Sequence, residues 1–146
     1  FLAPPEPKPG FATQWNGDEW VHIKDSRGLT IYDQKTRVPS VVEYVGPIKD
    51  GYTLLAPTSN FDEWNGKEWI LNEGELKKHQ VSTAINQKML LIAEADSEIA
   101  ALQNAIKYGM ATEDEIKSLE AWEIYRIKLM RIAPENVLNI TWPVKP

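Results

Sequence analysis

Histidines and adjacent carboxylates are the residues of this chain that could support acid–base chemistry. His22 and His79 lie far apart in the sequence and in different predicted elements, which favours packing or surface roles over a shared ligand site. The acidic pairs Asp18–Glu19 and Asp62–Glu63 would suit glycoside hydrolysis only if two carboxyls flanked a sugar at a defined separation. Both pairs adjoin predicted hairpin turns, where acidic side chains are usually solvated. The sequence therefore predicts no catalytic residue.

Cofactor and metal motifs are missing from the sequence as well. The chain contains no HExxH, GxxxxGK[ST], GxSxG or GxGxxG pattern and no run of oxygen ligands with the spacing of a calcium loop. It has no cysteine, so a thiolate nucleophile, a disulfide and a Cys-based zinc site are all excluded. We expect no enzyme activity, no cofactor and no metal.

Length and composition indicate an ordinary globular chain. Its 146 residues are 42% hydrophobic and 25% charged, and the formal net charge is −5. Nucleic-acid binding would require clustered Lys and Arg to displace counterions from phosphates, so an acidic chain argues against it. No apolar run approaches the roughly 18 residues of a membrane-spanning helix, and we expect no membrane insertion.

Four tryptophans belong to a repeated hexapeptide. Trp64–Trp69 repeats Trp15–Trp20 at five of six positions, and each copy contains an Asn-Gly pair, the strongest short signal for a β-hairpin. The flanking sequences look different, yet internal duplication is slightly favoured over convergence on good turn chemistry. The tryptophans could form the core of a small β domain or a platform for stacking sugars, and the sequence leaves both alternatives open.

A two-residue turn at each Asn-Gly would fix the register of both hairpins. Trp15 would then pair with Asp18, and Trp15 and Trp20 would be diagonal neighbours on one face of the first hairpin. The same register in the second hairpin would place Glu63 opposite Glu68, a modestly unfavourable pair.

A long helix is predicted from about Glu75 to Lys107, with Asn72 as its cap, because this stretch lacks Gly and Pro. Isoleucines recur every seven residues at 85, 92, 99 and 106, and the intermediate positions are Val81, Lys88, Ala95 and Leu102. Such spacing suits a coiled-coil seam, although Lys88 weakens it. The seam would join a second copy of the chain or another protein, or it would pack within one chain.

A second helix follows a turn at Gly109. Thr112 and Glu115 form a capping box, and Pro134 stops the helix. Its apolar stripe comprises Ile116, Leu119, Trp122, Tyr125, Leu129 and Ile132. Trp122 and Tyr125 on this stripe could be core or could contact a partner.

These elements predict an α+β fold in four parts: a Pro-rich arm (1–10), a β-rich domain (11–72), a helical hairpin (73–133) and an extended C-terminal tail (134–146). Besides the hairpins, the predicted strands are Leu29–Tyr32, Val41–Val45 and Tyr52–Ala56, and Val137–Trp142 is predicted to be an extended strand or arm. Trp142-Pro143 lies in the tail, where an exposed aromatic would meet a partner.

The C-terminal third of the chain carries a series of positions that is typical of one protein family. They are Leu102-Gln103-Asn104-Ala105, Ala111-Thr112, Leu119, Trp122, Tyr125-Arg126, Leu129 and Trp142-Pro143. Through them, and more loosely through PPEPKPGF and KDSRGLTIYD, the chain resembles bacteriophage tail fibre assembly proteins over nearly its whole length. Members of that family usually have several tens of residues before the PPEPKPGF stretch, so this chain would be a fragment or a processed product.

The resemblance implies a chaperone that lets the distal, C-terminal region of a trimeric tail fibre fold in the host bacterial cytoplasm, and that in some phages stays on the fibre tip. The fibre would be the partner, and the long helix would support a homo-oligomer. Two alternatives are a tip protein that binds host glycans through its tryptophans and a structural subunit with no folding role. The residues expected to bind a partner are Trp15, Trp20, Trp64, Trp69, Trp122, Tyr125, Arg126, Trp142 and Pro143.

Overall fold

The computed structural model describes residues 2–146 and confirms the predicted α+β class. The chain forms two compact units, one ending at Glu73 and the other running from Gly74 to Pro146. All strands belong to the first unit: β1 Phe11–Trp15, β2 Trp20–Lys24, β3 Thr30–Asp33, β4 Pro39–Val41, β5 Tyr52–Thr53, β6 Asp62–Trp64 and β7 Trp69–Leu71. The helices are α1 Glu73–Lys107, α2 Glu113–Met130 and a 3-10 helix Pro134–Asn139.

Three small antiparallel sheets make up the first unit. Strands β1 and β2 form the first hairpin, β6 and β7 form the second hairpin, and β3 lies between β4 and β5. The predicted strand Val41–Val45 is wrong as one strand, because its residues bond to different neighbours. Val41 pairs with Thr30 at the end of β3, Val42 exchanges hydrogen bonds with the turn at Gly28, and Val45 bridges Asp25.

The predicted strand Tyr52–Ala56 is shorter in the structure. Only Tyr52 and Thr53 pair with β3. The backbone N–H of Leu55 donates to the hydroxyl of Thr53 at 3.1 Å, so a side chain takes over from the strand ladder. This ends β5 after two residues.

The core of the first unit is small and partly polar. Its buried apolar side chains are Ile31 and Val42, beside the buried polar residues Ser26, Thr53 and Asp62. Buried polar groups need hydrogen-bond partners, and Asp62 accepts from the hydroxyls of Thr58 and Ser59. Side-chain hydrogen bonds therefore contribute to this core beside its two buried apolar residues.

The helices of the second unit pack around four buried residues, Ala95, Trp122, Tyr125 and Leu129. The predicted capping box at the start of α2 is confirmed, since Thr112 and Glu115 exchange hydrogen bonds of 3.0 and 3.1 Å. Gly109 adopts the expected left-handed conformation, with φ of +69°. The N–H of Met110 reaches the carbonyl of Ala105, which completes a Schellman end to α1.

The C-terminal prediction needs correction. Instead of an extended arm over Val137–Trp142, Pro134 opens a 3-10 helix that continues to Asn139. Proline fixes φ near the helical value and lacks an N–H, which suits the first position of a helix. Only from Ile140 is the chain extended. Among the described residues, no helix is long and apolar enough to cross a membrane.

Candidate functional site

Each tryptophan hairpin closes through a four-residue loop rather than the predicted two-residue turn. Trp15 pairs directly with Trp20, and the predicted pairing with Asp18 is wrong. The side-chain oxygen of Asn16 accepts from the backbone N–H groups of Asp18 and Glu19, each at 2.9 Å. The asparagine side chain thus accepts from loop N–H groups that would have bonded to backbone carbonyls in a tighter turn.

The second hairpin has the same tryptophan pairing and the same hydrogen bonds in its loop. Trp64 pairs with Trp69, and Asn65 accepts from the N–H groups of Lys67 and Glu68 at 2.9 and 2.8 Å. The register places Glu63 opposite Ile70, so the predicted Glu63–Glu68 pair does not form.

The tryptophans of each hairpin contact each other edge to face. Their ring centroids are 5.6 Å apart for Trp15 and Trp20 and 5.3 Å apart for Trp64 and Trp69, with interplanar angles of 68° in both pairs. Trp15 is 43% exposed and the other three rings are half-buried. None of the four lies in the buried core of the first unit.

The two hairpins also bind a similar segment of the chain, although the sequences that flank the two hexapeptides look different. The indole N–H of Trp20 donates to the carbonyl of Leu2 at 2.8 Å, and that of Trp69 donates to the carbonyl of Leu55 at 2.7 Å. Each of these leucines begins a Leu-Ala-Pro tripeptide, at 2–4 and at 55–57. The flanks therefore do match, which favours duplication of a larger unit.

Trp122 and Tyr125, two of the expected partner contacts, lie in the core of the second unit, 8% and 3% exposed. Arg126 is half-buried and forms an ion pair with Asp96 on α1, and its hydrogen bond to that carboxylate raises the pKa of the guanidinium. Trp142 packs against the same core, and Pro143 is half-buried. These residues hold the two helices and the tail together.

The tail is anchored along α1. Lys145 donates to Glu94 at 2.9 Å, and this bond raises the pKa of the lysine. A groove of about 320 Å³ separates α1 from the C-terminal segment, and it is lined by Gln80, Thr83, Gln87, Val137, Ile140 and Trp142. The extra length of α1 beyond α2 thus lies beside the chain's own tail.

The predicted coiled-coil seam is used within the second unit over its middle part. Ile92, Ala95, Ile99 and Leu102 pack in or against the core that α2 completes. Ile85 and Ile106, at the two ends of the seam, remain exposed, as do Met89 and Leu90.

The exposed face of α2 is the feature that the sequence analysis missed. Ile116, Ile124, Ile127 and Met130 are each between 46% and 52% exposed. Their spacing of eight, three and three residues places them on one side of the helix, away from Trp122, Tyr125 and Leu129. Ile116 therefore does not belong to the buried stripe to which the periodicity assigned it. We call these four residues the outer α2 face.

The acidic and imidazole groups considered for acid–base chemistry make local contacts. Asp62 accepts from Thr58 and Ser59, and these hydrogen bonds lower the pKa of its carboxyl. His22 lies edge-on to Phe11, with ring centroids 6.4 Å apart. Within residues 2–146, no group of three or more His, Asp or Glu side chains is placed to hold a metal ion.

Comparison with known proteins decides the family. Residues 27–146 match the family described as "Caudovirales tail fibre assembly protein, lambda gpK". The chain belongs to the tail fibre assembly protein family. The predicted resemblance is confirmed, and membership places the chain in phage tail fibre assembly, with a tail fibre as the partner that the family implies.

Curated relatives support this assignment over the full chain. It is 35% identical to "Prophage tail fiber assembly protein homolog TfaR" of Escherichia coli K12, over 99% of this chain and 77% of the relative. It is 33% identical to "Tail fiber assembly protein" of Escherichia phage lambda, over 99% and 76% of the two chains. No solved structure matches.

In this tail fibre assembly protein, the residues that carry the family resemblance are different from the exposed residues of the outer α2 face. The signature positions Leu102, Trp122, Tyr125, Leu129 and Trp142 all pack in or against one core. The signature therefore specifies how the second unit folds. None of the four residues of the outer α2 face is a signature position, although the face lies on a helix that the signature helps to fold. None of the relatives reported above is named for sugar binding, and the glycan alternative gains no support.

Proposed function

We propose that this protein is a chaperone that binds the distal, C-terminal region of a phage tail fibre in the host bacterial cytoplasm and assists its folding and trimerisation. The outer α2 face is the observation that supports this proposal. It gives α2 apolar side chains on two opposite sides, one buried in the second unit and one exposed to solvent.

A helix with two apolar sides is typical of a helix that is covered on both. Exposed apolar side chains that share one side of a helix with charged residues suit a partner segment that is itself amphipathic. Glu120 and Glu123 are exposed on the same helix and fall between the isoleucines of the outer α2 face. We therefore expect the fibre segment that binds here to present apolar side chains with Lys or Arg at their edge.

Trimeric fibres expose strand edges and apolar surfaces until their subunits assemble, and such surfaces promote aggregation. Binding to the outer α2 face would cover them during that interval. The sequence has no nucleotide-binding motif, so the binding free energy drives the process. The chaperone is released when contacts between fibre subunits bind the covered surface more strongly than the chaperone does. It stays on the fibre tip when they do not.

We also propose that two copies of this protein associate through α1. The support is Ile85 and Met89, which lie four residues apart on one side of that helix and are 42% and 64% exposed. Sedimentation equilibrium tests this: Ile85→Glu together with Met89→Glu would turn a dimer into a monomer, and a wild-type monomer at high concentration would refute it.

Co-expression with the C-terminal region of the cognate fibre tests the chaperone proposal. The wild-type protein should yield a soluble fibre trimer and a complex that co-purifies. Ile124→Asp with Ile127→Asp should abolish both, because it places charges in the outer α2 face without touching the core. Leu138→Asp is the matched control, since Leu138 is an exposed leucine outside this face.

Two results would refute the proposal. One is a fibre that trimerises equally well without the protein, which would favour a purely structural subunit. The other is a double variant that folds and still supports trimer formation.

A further inference from the structure

The two hairpins each hold a Leu-Ala-Pro segment of the chain through the same contact. Trp20 binds the carbonyl of Leu2, and Trp69 binds the carbonyl of Leu55. A hydrogen bond that recurs with the same tripeptide in two copies of one hairpin indicates a specific geometric fit between them.

We propose that the first hairpin is a binding site for extended Leu-Ala-Pro segments, and that residues 2–9 are its exchangeable resident ligand. This site lies in the first unit and is independent of the outer α2 face, so it goes beyond the proposed chaperone function.

The chemistry of the two partners is complementary. The indole N–H is a donor only. A proline-rich segment is extended, makes no internal hydrogen bonds and lacks N–H groups at its prolines, so its carbonyls remain available as acceptors. Aromatic surfaces that bind such segments are a recurrent mode of peptide recognition, since the ligand is already extended and loses little entropy on binding.

The second hairpin binds its segment permanently. The carboxylate of Asp62 accepts from the N–H and the hydroxyl of Thr58, at 2.8 and 3.0 Å, and from the hydroxyl of Ser59 at 2.8 Å. Strand β5 precedes the segment and β6 follows it, so both of its ends are fixed. These bonds, together with the hydrogen bond from the N–H of Leu55 to the hydroxyl of Thr53, restrain the segment on both sides of Leu55.

The first hairpin holds its segment much more loosely. Thr13 occupies the position that Asp62 has in the second hairpin, two residues before the first tryptophan, so the carboxylate anchor is replaced. Residues 2–10 are all exposed. Besides the Trp20 bond, the arm makes contacts near its end. The N–H of Phe11 donates to the carbonyl of Lys8 at 3.0 Å, and the Lys8 ammonium lies over the Phe11 ring. The N–H of Asp25 donates to the carbonyl of Gly10 at 2.9 Å.

This difference predicts exchange at the first hairpin. A tethered segment competes at an effective concentration in the millimolar range, and a segment of the same kind from another chain displaces it when the tethered one is weakened. The second hairpin serves as an internal control, because it has the same loop, the same tryptophan pair and a locked ligand.

The test uses the ¹⁵N-labelled full chain and the indole signals of its NMR spectrum. Trp20→Phe and Trp69→Phe assign the two relevant signals. An unlabelled peptide corresponding to residues 2–9 and carrying an N-terminal benzoyl group is then titrated into the wild-type protein and into the variant Pro4→Gly with Pro5→Gly. The ring current of the benzoyl group shifts a nearby indole signal even though the bound segment makes the same contacts as the tethered one. The control peptide has glycine in place of every proline.

We expect the peptide to shift the Trp20 signal and to leave the Trp69 signal unchanged. Half-saturation in the proline variant should occur at about tenfold lower peptide concentration, because glycines make it costlier to hold the tethered arm extended. The control peptide should bind weakly.

Two outcomes would overturn the proposal. A Trp20 signal that does not respond in either protein would show that the first hairpin does not exchange its ligand. Equal shifts of Trp20 and Trp69 would show nonspecific association with exposed indoles.

Discussion

The ammonium group of Lys88 on α1 lies 2.9 Å from the carbonyl oxygen of Ile132, just beyond the last turn of α2. It also lies 3.3 Å from the carbonyl of Met130. The final carbonyls of a helix have no partner within it and carry its partial negative charge, so a cation there is stabilising. The lysine that interrupts the predicted seam therefore fastens α1 to the end of α2.

Replacing Lys88 by Met should destabilise the second unit by about 1–2 kcal/mol, since it leaves those carbonyls without their charged donor. Urea denaturation followed by circular dichroism at the helical band measures the change. Lys117→Met, on the exposed surface of α2, should have an effect within about 0.5 kcal/mol. Equal effects of the two substitutions would contradict a special role for Lys88.

Leu129 and Ile127 are two residues apart on α2 but differ in burial, 0% against 50% exposed. Leu129→Ala should cost about 2–5 kcal/mol, because it leaves a cavity beside Trp122 and Tyr125. Ile127→Ala should change stability by less than about 1 kcal/mol and still weaken fibre binding. Thermal unfolding and fibre pull-down on both variants check this; a large stability loss in Ile127→Ala would show that the outer α2 face is part of the fold.

Asp62 predicts an acid sensitivity of the first unit. Hydrogen bonds from Ser59 and Thr58 lower the pKa of its carboxyl from the ordinary value of 3.8. A lowered folded-state pKa contributes stability above pH 3.8 that is lost as the pH falls through the folded value. Asp62→Asn should therefore be less stable at neutral pH and should lose less stability on acidification.

Acid titration followed by the Trp69 indole signal measures this, because Asp62 anchors the segment that Trp69 binds. Thr58→Val removes one donor and should reduce the acid slope partially. Some slope should remain in Asp62→Asn, since hydrogen bonds from Arg27 lower the pKa of Asp25 to about 2. An unchanged slope in Asp62→Asn would show that Asp62 does not control it.

Gly66 in the second hairpin loop has φ of +98°, and a Cβ added there would meet no atom within 4 Å. Gly66→Ala should therefore cost about 1–2 kcal/mol through backbone strain alone. Gly74→Ala, in the first turn of α1, should be neutral or slightly stabilising. Hydrogen exchange of the hairpin amides separates the two effects, and a neutral Gly66→Ala would contradict the strain.

Local signals predicted the turn between the two helices well because their chemistry is complete within a few residues. The outer ends differ from the prediction, since α1 begins at Glu73 rather than about Glu75 and α2 ends at Met130, before Pro134. The Thr112–Glu115 capping box and the left-handed Gly109 need no information from the rest of the chain. The hairpin register was missed, although it too is local, because the Asn16 and Asn65 side chains compete with the backbone for the loop N–H groups.

Burial was harder to predict from periodicity. The spacing of Ile116 fits the buried stripe of α2 and also the outer α2 face, and only packing against α1 separates them. The same holds for the seam on α1, where Ile92 and Ile99 face the core while Ile85 and Ile106 do not. The spacing of apolar residues in the sequence shows which of them share a face of a helix. It does not show which face packs against the rest of the protein.

The loops of the two hairpins have a consequence for chemical ageing. Asn-Gly bonds deamidate readily, because the glycine nitrogen attacks the side-chain carbonyl carbon of asparagine, ammonia leaves and a succinimide ring closes. In this protein the side-chain oxygens of Asn16 and Asn65 each accept two hydrogen bonds from the loop backbone, so each folded loop holds that carbonyl in one orientation. The rate at which isoaspartate accumulates at the two sites, compared with an unstructured peptide of the same sequence, would therefore report how firmly each loop is held.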